Sequence, residues 1–243
     1  MKISITRNRK PKIKSYFDSE GFVYVNKRDV KKMLRSIGID IRNISSQQDI
    51  KDFYDKLTPY YHIYMGPDRK YEEKVLNTIS KAIEEKNSCI VIDAGCGIGL
   101  GICFLAKEFP DKKFIGYDIS EGVIGEAKKR SNRHHLNNLE LAVMSHDDLP
   151  NDTIKPESSD CIYAKDSIYM ESLFTEDYNL FLERSRKFRN ILRHNGLYIV
   201  NWEDGISLGG IPPEKRIENF GFRESKKYST AVENVRLAFF EKI

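Results

Sequence analysis

The stretch Val91-Ile92-Asp93-Ala94-Gly95-Cys96-Gly97-Ile98-Gly99 sets an acidic side chain two residues before three glycines at alternate positions. Glycines so spaced allow a sharp backbone turn and let a ligand lie against main-chain N–H groups at the start of a helix. The dinucleotide fingerprint GxGxxG is not met, because counting from Gly95 puts Leu100 in the third glycine place and counting from Gly97 puts Ile102 there. Asp118 ends the apolar run KFIGYD downstream of this turn. A carboxylate at the carboxyl edge of a sheet, beside a glycine turn, can accept two hydrogen bonds from ribose hydroxyls. Further on, Ser145-His146-Asp147-Asp148-Leu149-Pro150 and then Lys165-Asp166 bring polar groups to two more strand ends. Ahead of them all, Tyr54, Tyr60, Tyr61 and Tyr64 crowd into one short segment, offering ring faces and hydroxyls to a cation or an amine. His146 with Asp147 and Asp148 has no partner ligands at a metal-binding spacing, so no metal is expected.

Together these pieces resemble the class I S-adenosylmethionine-dependent methyltransferases over roughly residues 50–243. The resemblance implies S-adenosylmethionine as cofactor, with its methionine part against Asp93, Gly95, Cys96, Gly97 and Gly99. It implies the ribose on Asp118 and the adenine face on Ile119. SHDDLP is similar to the family's xDxxxLP region at the adenine edge, but Ser145 stands at the usual acidic position, which leaves His146, Asp147 or main-chain groups to meet the base. SDCIYAKDSIYMES resembles the DxIYSRDxxLHL stretch of phosphoethanolamine and related small-molecule N-methyltransferases. That alignment places Lys165 and Asp166 beside donor and acceptor and puts Met170 where the family has a histidine. DFYDKLTPYYHIY is similar to the amino-terminal helix of glycine and sarcosine methyltransferases, which folds over the bound donor. Asp166 and Tyr61 are accordingly the candidate catalytic residues, with Tyr61 also covering the cofactor. Asp166 could equally cap or brace its loop.

The elements that must position these groups follow from periodicity and punctuation. GFVYV reads as a strand, Asn26 caps a helix over 27–37 that stops at Gly38, and a second helix runs from Gln47 to Leu57 before Pro59. Residues 1–15 carry no periodic pattern and read as a flexible start. From Lys70 helices and strands alternate: helix 70–85, strand CIVIDAG, helix 100–109, strand KFIGYD, helix 121–134, then strands LELAVM and CIYAK. Strands without a polar face, such as CIVIDAG, belong in the middle of a parallel sheet. Tyr178, Phe181, Ser185, Phe188 and Leu192 mark a further helix with Gly196 as its cap glycine, and LYIVNW follows as a strand. A short helix at 213–220 precedes GFRESKKYST and VRLAFFEKI, two strands joined at Glu233-Asn234 that must pair antiparallel. The expected fold is α/β and Rossmann-like: a mostly parallel seven-stranded sheet with an antiparallel C-terminal strand and helices on both faces. Residues 1–60 form a small helical appendage and lid, and residues 61–243 the methyltransferase domain.

With 243 residues, 40% of them hydrophobic and 31% charged, the chain has the composition of an ordinary globular protein. No run approaches the roughly 18 apolar residues of a membrane span, and no secretory signal is visible, so a cytoplasmic location is expected. The four cysteines, at 89, 96, 103 and 161, lack CxxC spacing and suit reduced thiols. Residues 1–35 hold eleven Lys and Arg against Asp18, Glu20 and Asp29, which leaves the remainder net acidic. Methyl transfer is an in-line displacement, and an amine acceptor must first lose a proton, for which Asp166 is available. The leading expectation is a methyltransferase acting on a small molecule at an amine nitrogen, with no nucleic-acid or membrane partner. Alternatives are an RNA or protein methyltransferase gripping its polymer with the basic arm, or a protein that binds S-adenosylmethionine without turnover.

Overall fold

A computed structural model describes residues 10–22, 24–203, 212–232 and 235–243. The parallel strands β1 (Ile90–Ala94), β2 (Lys113–Asp118), β3 (Leu139–Val143), β4 (Ser159–Ala164) and β5 (Leu192–Glu203) form the sheet with β8 (Val235–Lys242), β6 (Phe222–Glu224) and β7 (Thr230–Val232). The order is β3-β2-β1-β4-β5-β8-β6, and β8 runs antiparallel to β5. The stretch GFRESKKYST divides into β6 and β7, which both pair antiparallel with β8. The expected turn at Glu233-Asn234 lies outside the described residues. Register sets the carboxyl ends side by side: Ala94 faces Tyr117, and Asp93 faces Gly116 on one side and Tyr163 on the other. One edge of the sheet therefore collects Asp93, Asp118 and the exit of β4, at the switch point where open α/β sheets bind ligands.

The connecting helices are α5 (Arg69–Glu85), α6 (Leu100–Glu108), α7 (Glu121–Arg133), α8 (Ile168–Phe174), α9 (Tyr178–Ile191) and α10 (Pro213–Glu218). One apolar cluster joins α5 and α6 to one face of the sheet, and another joins α9 to the opposite face through Phe181, Phe188, Tyr198 and Trp202. Upstream lie α1 (Lys10–Ser19), α2 (Lys27–Ser36), α3 (Gln47–Leu57) and the single turn α4 (Tyr61–Tyr64). Asn26 and Ser46 accept hydrogen bonds from the main-chain N–H of Asp29 and Asp49, capping α2 and α3 as their residue types prefer.

Three expectations need correction. The start is helical from Lys10, because Ile13, Tyr16 and Phe17, at i, i+3 and i+4, are buried against the core. GFVYV contributes no strand among the described residues; Phe22 is buried and its carbonyl accepts from Arg69 Nη1, so the segment pins α1 to α5. Gly196 does not cap the preceding helix, since pairing of Leu192 with Ser159 pulls the chain into β5 directly after Ile191, and Asn195 takes the left-handed conformation. α8 was not anticipated, being a two-turn helix too short for a periodic signal. Among the described residues no helix is long and apolar enough to cross a membrane, and no group of side chains could hold a metal.

Candidate active site

The carboxyl edge of β1, β2 and β4 opens into a cavity of about 450 Å³, within the range of roughly 300–1,000 Å³ usual for small-molecule sites. Gly95 and Gly97 line it with positive φ, +82° and +52°, a conformation that side chains rarely adopt. A Cβ on Gly95 would lie 2.6 Å from that of Ser167, and one on Gly97 would lie 3.0 Å from the Tyr61 hydroxyl. The turn thus leaves main chain, not side chain, facing the cavity. Cys96 and Ile98 also line it, whereas Gly99 packs behind the turn against Ala127. Asp118 accepts from the main-chain N–H of Gly97 at 3.0 Å and of Ser120 at 3.1 Å. The main-chain N–H of Ile119 adds a third bond, which leaves acceptor capacity on the carboxylate for a ligand hydroxyl. Burial raises its pKa against these bonds. Asp93 is buried behind the turn and accepts from the Tyr163 hydroxyl at 2.6 Å; burial pushes its pKa up to about 7.

Ile119, Met144, Ser145 and His146 also line the cavity. Ser145, at the position where an acid was expected, caps the short turn His146–Asp148 in a reciprocal pair of hydrogen bonds with that turn's N–H groups and the Asp148 carboxylate. His146 bridges the Tyr117 hydroxyl through Nδ1 and the Ser167 hydroxyl through Nε2, both at 2.9 Å, and burial pushes its pKa down to about 3. It is a neutral brace between β2 and the exit of β4. Asp147 turns outward instead, paired with Arg184 at 2.5 Å, and is not part of the cavity wall.

At the exit of β4, Lys165 Nζ lies 2.6 Å from Glu72 Oε1 and 2.5 Å from Asp166 Oδ2. Burial works against its charge, but the two carboxylates raise its pKa well above the ordinary lysine value, so it stays an ammonium. Burial likewise raises Glu72, with Lys165 pulling the other way. Asp166 sits at φ +51°, its main-chain N–H donating to Asn201 Oδ1 at 2.7 Å, while Asn201 Nδ2 donates to Asp166 Oδ1 and to the Tyr71 hydroxyl. Sequence gives no sign of Glu72, Tyr71 or Asn201; they reach the site from α5 and β5, far away in the chain. Over this end lie Tyr54, Tyr61 and Tyr64, while Tyr60 points to solvent. Tyr54 and Tyr61 stack at 6.4 Å, and burial holds both phenols well above their usual pKa and Tyr64 at about 12, so all three are neutral donors. Phe53 and Leu57 anchor this segment to Ile44, Ile50 and Phe174, and Asp55 accepts from Gly122 N at 3.0 Å and Ser120 Oγ at 2.5 Å at the start of α7.

A family model described as a methyltransferase domain matches residues 85–219. Among solved structures the chain is similar to a protein from Galdieria sulphuraria assigned as a sarcosine dimethylglycine methyltransferase, with a TM-score of 0.60, 13% identity, and 79% of this chain and 98% of that one covered. A protein from Nostoc punctiforme assigned as an O-methyltransferase gives 0.57 at 14% identity over 78% and 60%. A SAM-dependent methyltransferase from Aquifex aeolicus gives 0.51 at 17% identity over 67% and 88%. No curated protein sequence matches the chain. At such identities these structures speak for the fold, and the family match, over more than half of the chain, speaks for the family. The chain belongs to the methyltransferase-domain family of class I S-adenosylmethionine-dependent methyltransferases, and S-adenosylmethionine is its methyl donor.

Proposed function

We propose that the enzyme methylates an amine nitrogen of a small molecule. The observation that carries this reading is the Glu72–Lys165–Asp166 cluster on the cavity wall, which sets two carboxylates, Glu72 buried and Asp166 partly exposed, against one ammonium beside the tyrosines. Such an excess of negative charge favours a cationic guest, and the aromatic cover supplies ring faces to the same end. Gly95, Gly97, Asp118 and Ile119 would hold S-adenosylmethionine, which supplies a methyl group on a positively charged sulfur. Asp166 receives the proton that the ammonium form of the acceptor must lose, leaving the nitrogen lone pair free to form its bond to the methyl carbon as the carbon–sulfur bond breaks. Asn201 holds one oxygen of Asp166 and Lys165 the other, which fixes the carboxylate's plane. Tyr61 and Tyr64, kept neutral by burial, orient the acceptor and exclude water instead of acting as bases.

The test is an acceptor screen scored by release of S-adenosylhomocysteine, with aliphatic amines, phenols, carboxylic acids, tRNA and a lysine-rich protein as separate arms. Turnover is expected with amines. In Asp166→Asn, which keeps a residue tolerant of the left-handed backbone, kcat should fall by about a hundredfold or more while donor affinity holds. Turnover confined to tRNA or protein would transfer the assignment to a polymer gripped by the cations of α2, and turnover confined to hydroxyls would replace nitrogen by oxygen.

A further inference from the structure

Glu171, on the first turns of α8, belongs to the cavity wall and is 8% exposed. Its Oε1 accepts from Gln47 Nε2 at 2.7 Å and from Arg184 Nη2 at 3.4 Å, but Oε2 is buried with no hydrogen-bond partner. A carboxylate oxygen stripped of water and left without a donor is costly, and such a group calls for a missing partner. Its helix neighbours on the wall, Met170 and Phe174, are apolar, and Gln47 and Arg184 donate to Oε1 only, so a guest that shifts the side chain can supply the donor that Oε2 lacks. Asp166 stands at the entry to the same strand-to-helix passage and Glu171 five residues on, so the passage presents two acidic points with Ser167 and Met170 between them. Resting on the amine reading above, we propose that Glu171 recognises a second cationic nitrogen of the acceptor, which makes the substrate a diamine: one nitrogen is methylated beside Asp166, and the other donates to Glu171 Oε2.

The experiment uses the full chain with S-adenosylmethionine and a series of linear α,ω-diamines of three to six carbons, each against the monoalkylamine of equal length. The expected result is a KM at least about tenfold lower for the best diamine than for its monoamine, and collapse of that preference in Glu171→Gln. Thermal melts accompany the variant, because Arg184 Nε also lacks a partner and could pair with Glu171 after a small side-chain shift. If Glu171 only braces Arg184, the variant lowers the melting temperature and the diamine preference, if any, survives; that outcome overturns the inference. Should the variant not fold, the wild-type ratio decides, and equal KM values for the two amine classes sink the proposal. A screen in which no amine turns over refutes the amine reading itself, whereas amine turnover without diamine preference refutes only the role of Glu171.

Discussion

Two carboxylates on the cavity wall, Asp93 and Asp118, are the proposed holders of the donor, and their environments assign different tests. Asp93 is raised from 3.8 to about 7 by burial, against the hydrogen bond from Tyr163. The fold therefore favours its neutral form: the contribution to stability is full below the ordinary carboxylate range and is lost as pH rises through about 7. If Asp93 pairs with the donor's α-ammonium group, as proposed, binding demands the opposite, an ionised Asp93. Affinity for S-adenosylhomocysteine should thus climb severalfold between about pH 6 and 8 in calorimetry, and Asp93→Asn should flatten the climb. A flat wild-type profile would detach Asp93 from the donor. For Asp118 the expected result is simpler: Asp118→Ala weakens S-adenosylhomocysteine at least about tenfold, the loss of a two-point contact to a charged acceptor. Unchanged affinity in a folded variant would move the ribose elsewhere.

At the scale of elements, the question is how the tyrosine segment covers the site. The sequence ends a helix before Pro59, yet the chain stays helical from α3 through short turns into α5. α3 is held by Asp55 on the start of α7 and by its own apolar cluster, so closing and opening would involve α3 and α4 as a packed unit. The Tyr61 hydroxyl approaches the glycine turn from above. S-adenosylhomocysteine should slow hydrogen exchange over residues 53–65, and Tyr61→Phe should lower turnover by more than it lowers donor affinity. Exchange that ignores the ligand, with a Tyr61→Phe that changes melting temperature alone, would make the segment static packing.

The whole molecule draws its first helix into the catalytic core. Arg69, itself buried, ties Asp18 and the Phe22 carbonyl to Glu73 on α5. Glu20 accepts from Arg130 Nε at 2.7 Å, and Arg130 Nη1 donates to the carbonyl of Ile98 inside the glycine turn. A truncation of residues 1–14 removes Ile13 and half of α1, and so takes buried apolar surface out of the core. Because Phe17 is 1% exposed in the same cluster as Val75 and Phe104, Phe17→Ala should cost about 3–5 kcal/mol in a single cooperative urea transition. A separate early transition, with the main one unmoved, would show α1 to be an independent appendage.

Local chemistry explains what was legible beforehand. The glycine turn, Asp118 and the apolar runs of β1, β2 and β5 write their conformation into a few adjacent residues, since left-handed turns need glycine and buried parallel strands need continuous apolar side chains. Family, donor and sheet followed from them. Caps were equally readable at Asn26 and Ser46. Tertiary structure alone decided that α1 is core, because Ile13, Tyr16 and Phe17 sit among lysines that hide their periodicity. It also decided that Asp147 faces Arg184 rather than the cavity, that Glu72 and Asn201 bond Lys165 and Asp166, and that Glu171 lines the same cavity. Those residues come from α5, β5 and α8, and nothing in the spacing along a chain records which side chains meet once helices cross a sheet. The cluster around Lys165 is built from such long-range meetings, whereas the glycine turn and Asp118 lie in single turns and strand ends, and that is why the family was readable from residues and the cluster needed the fold.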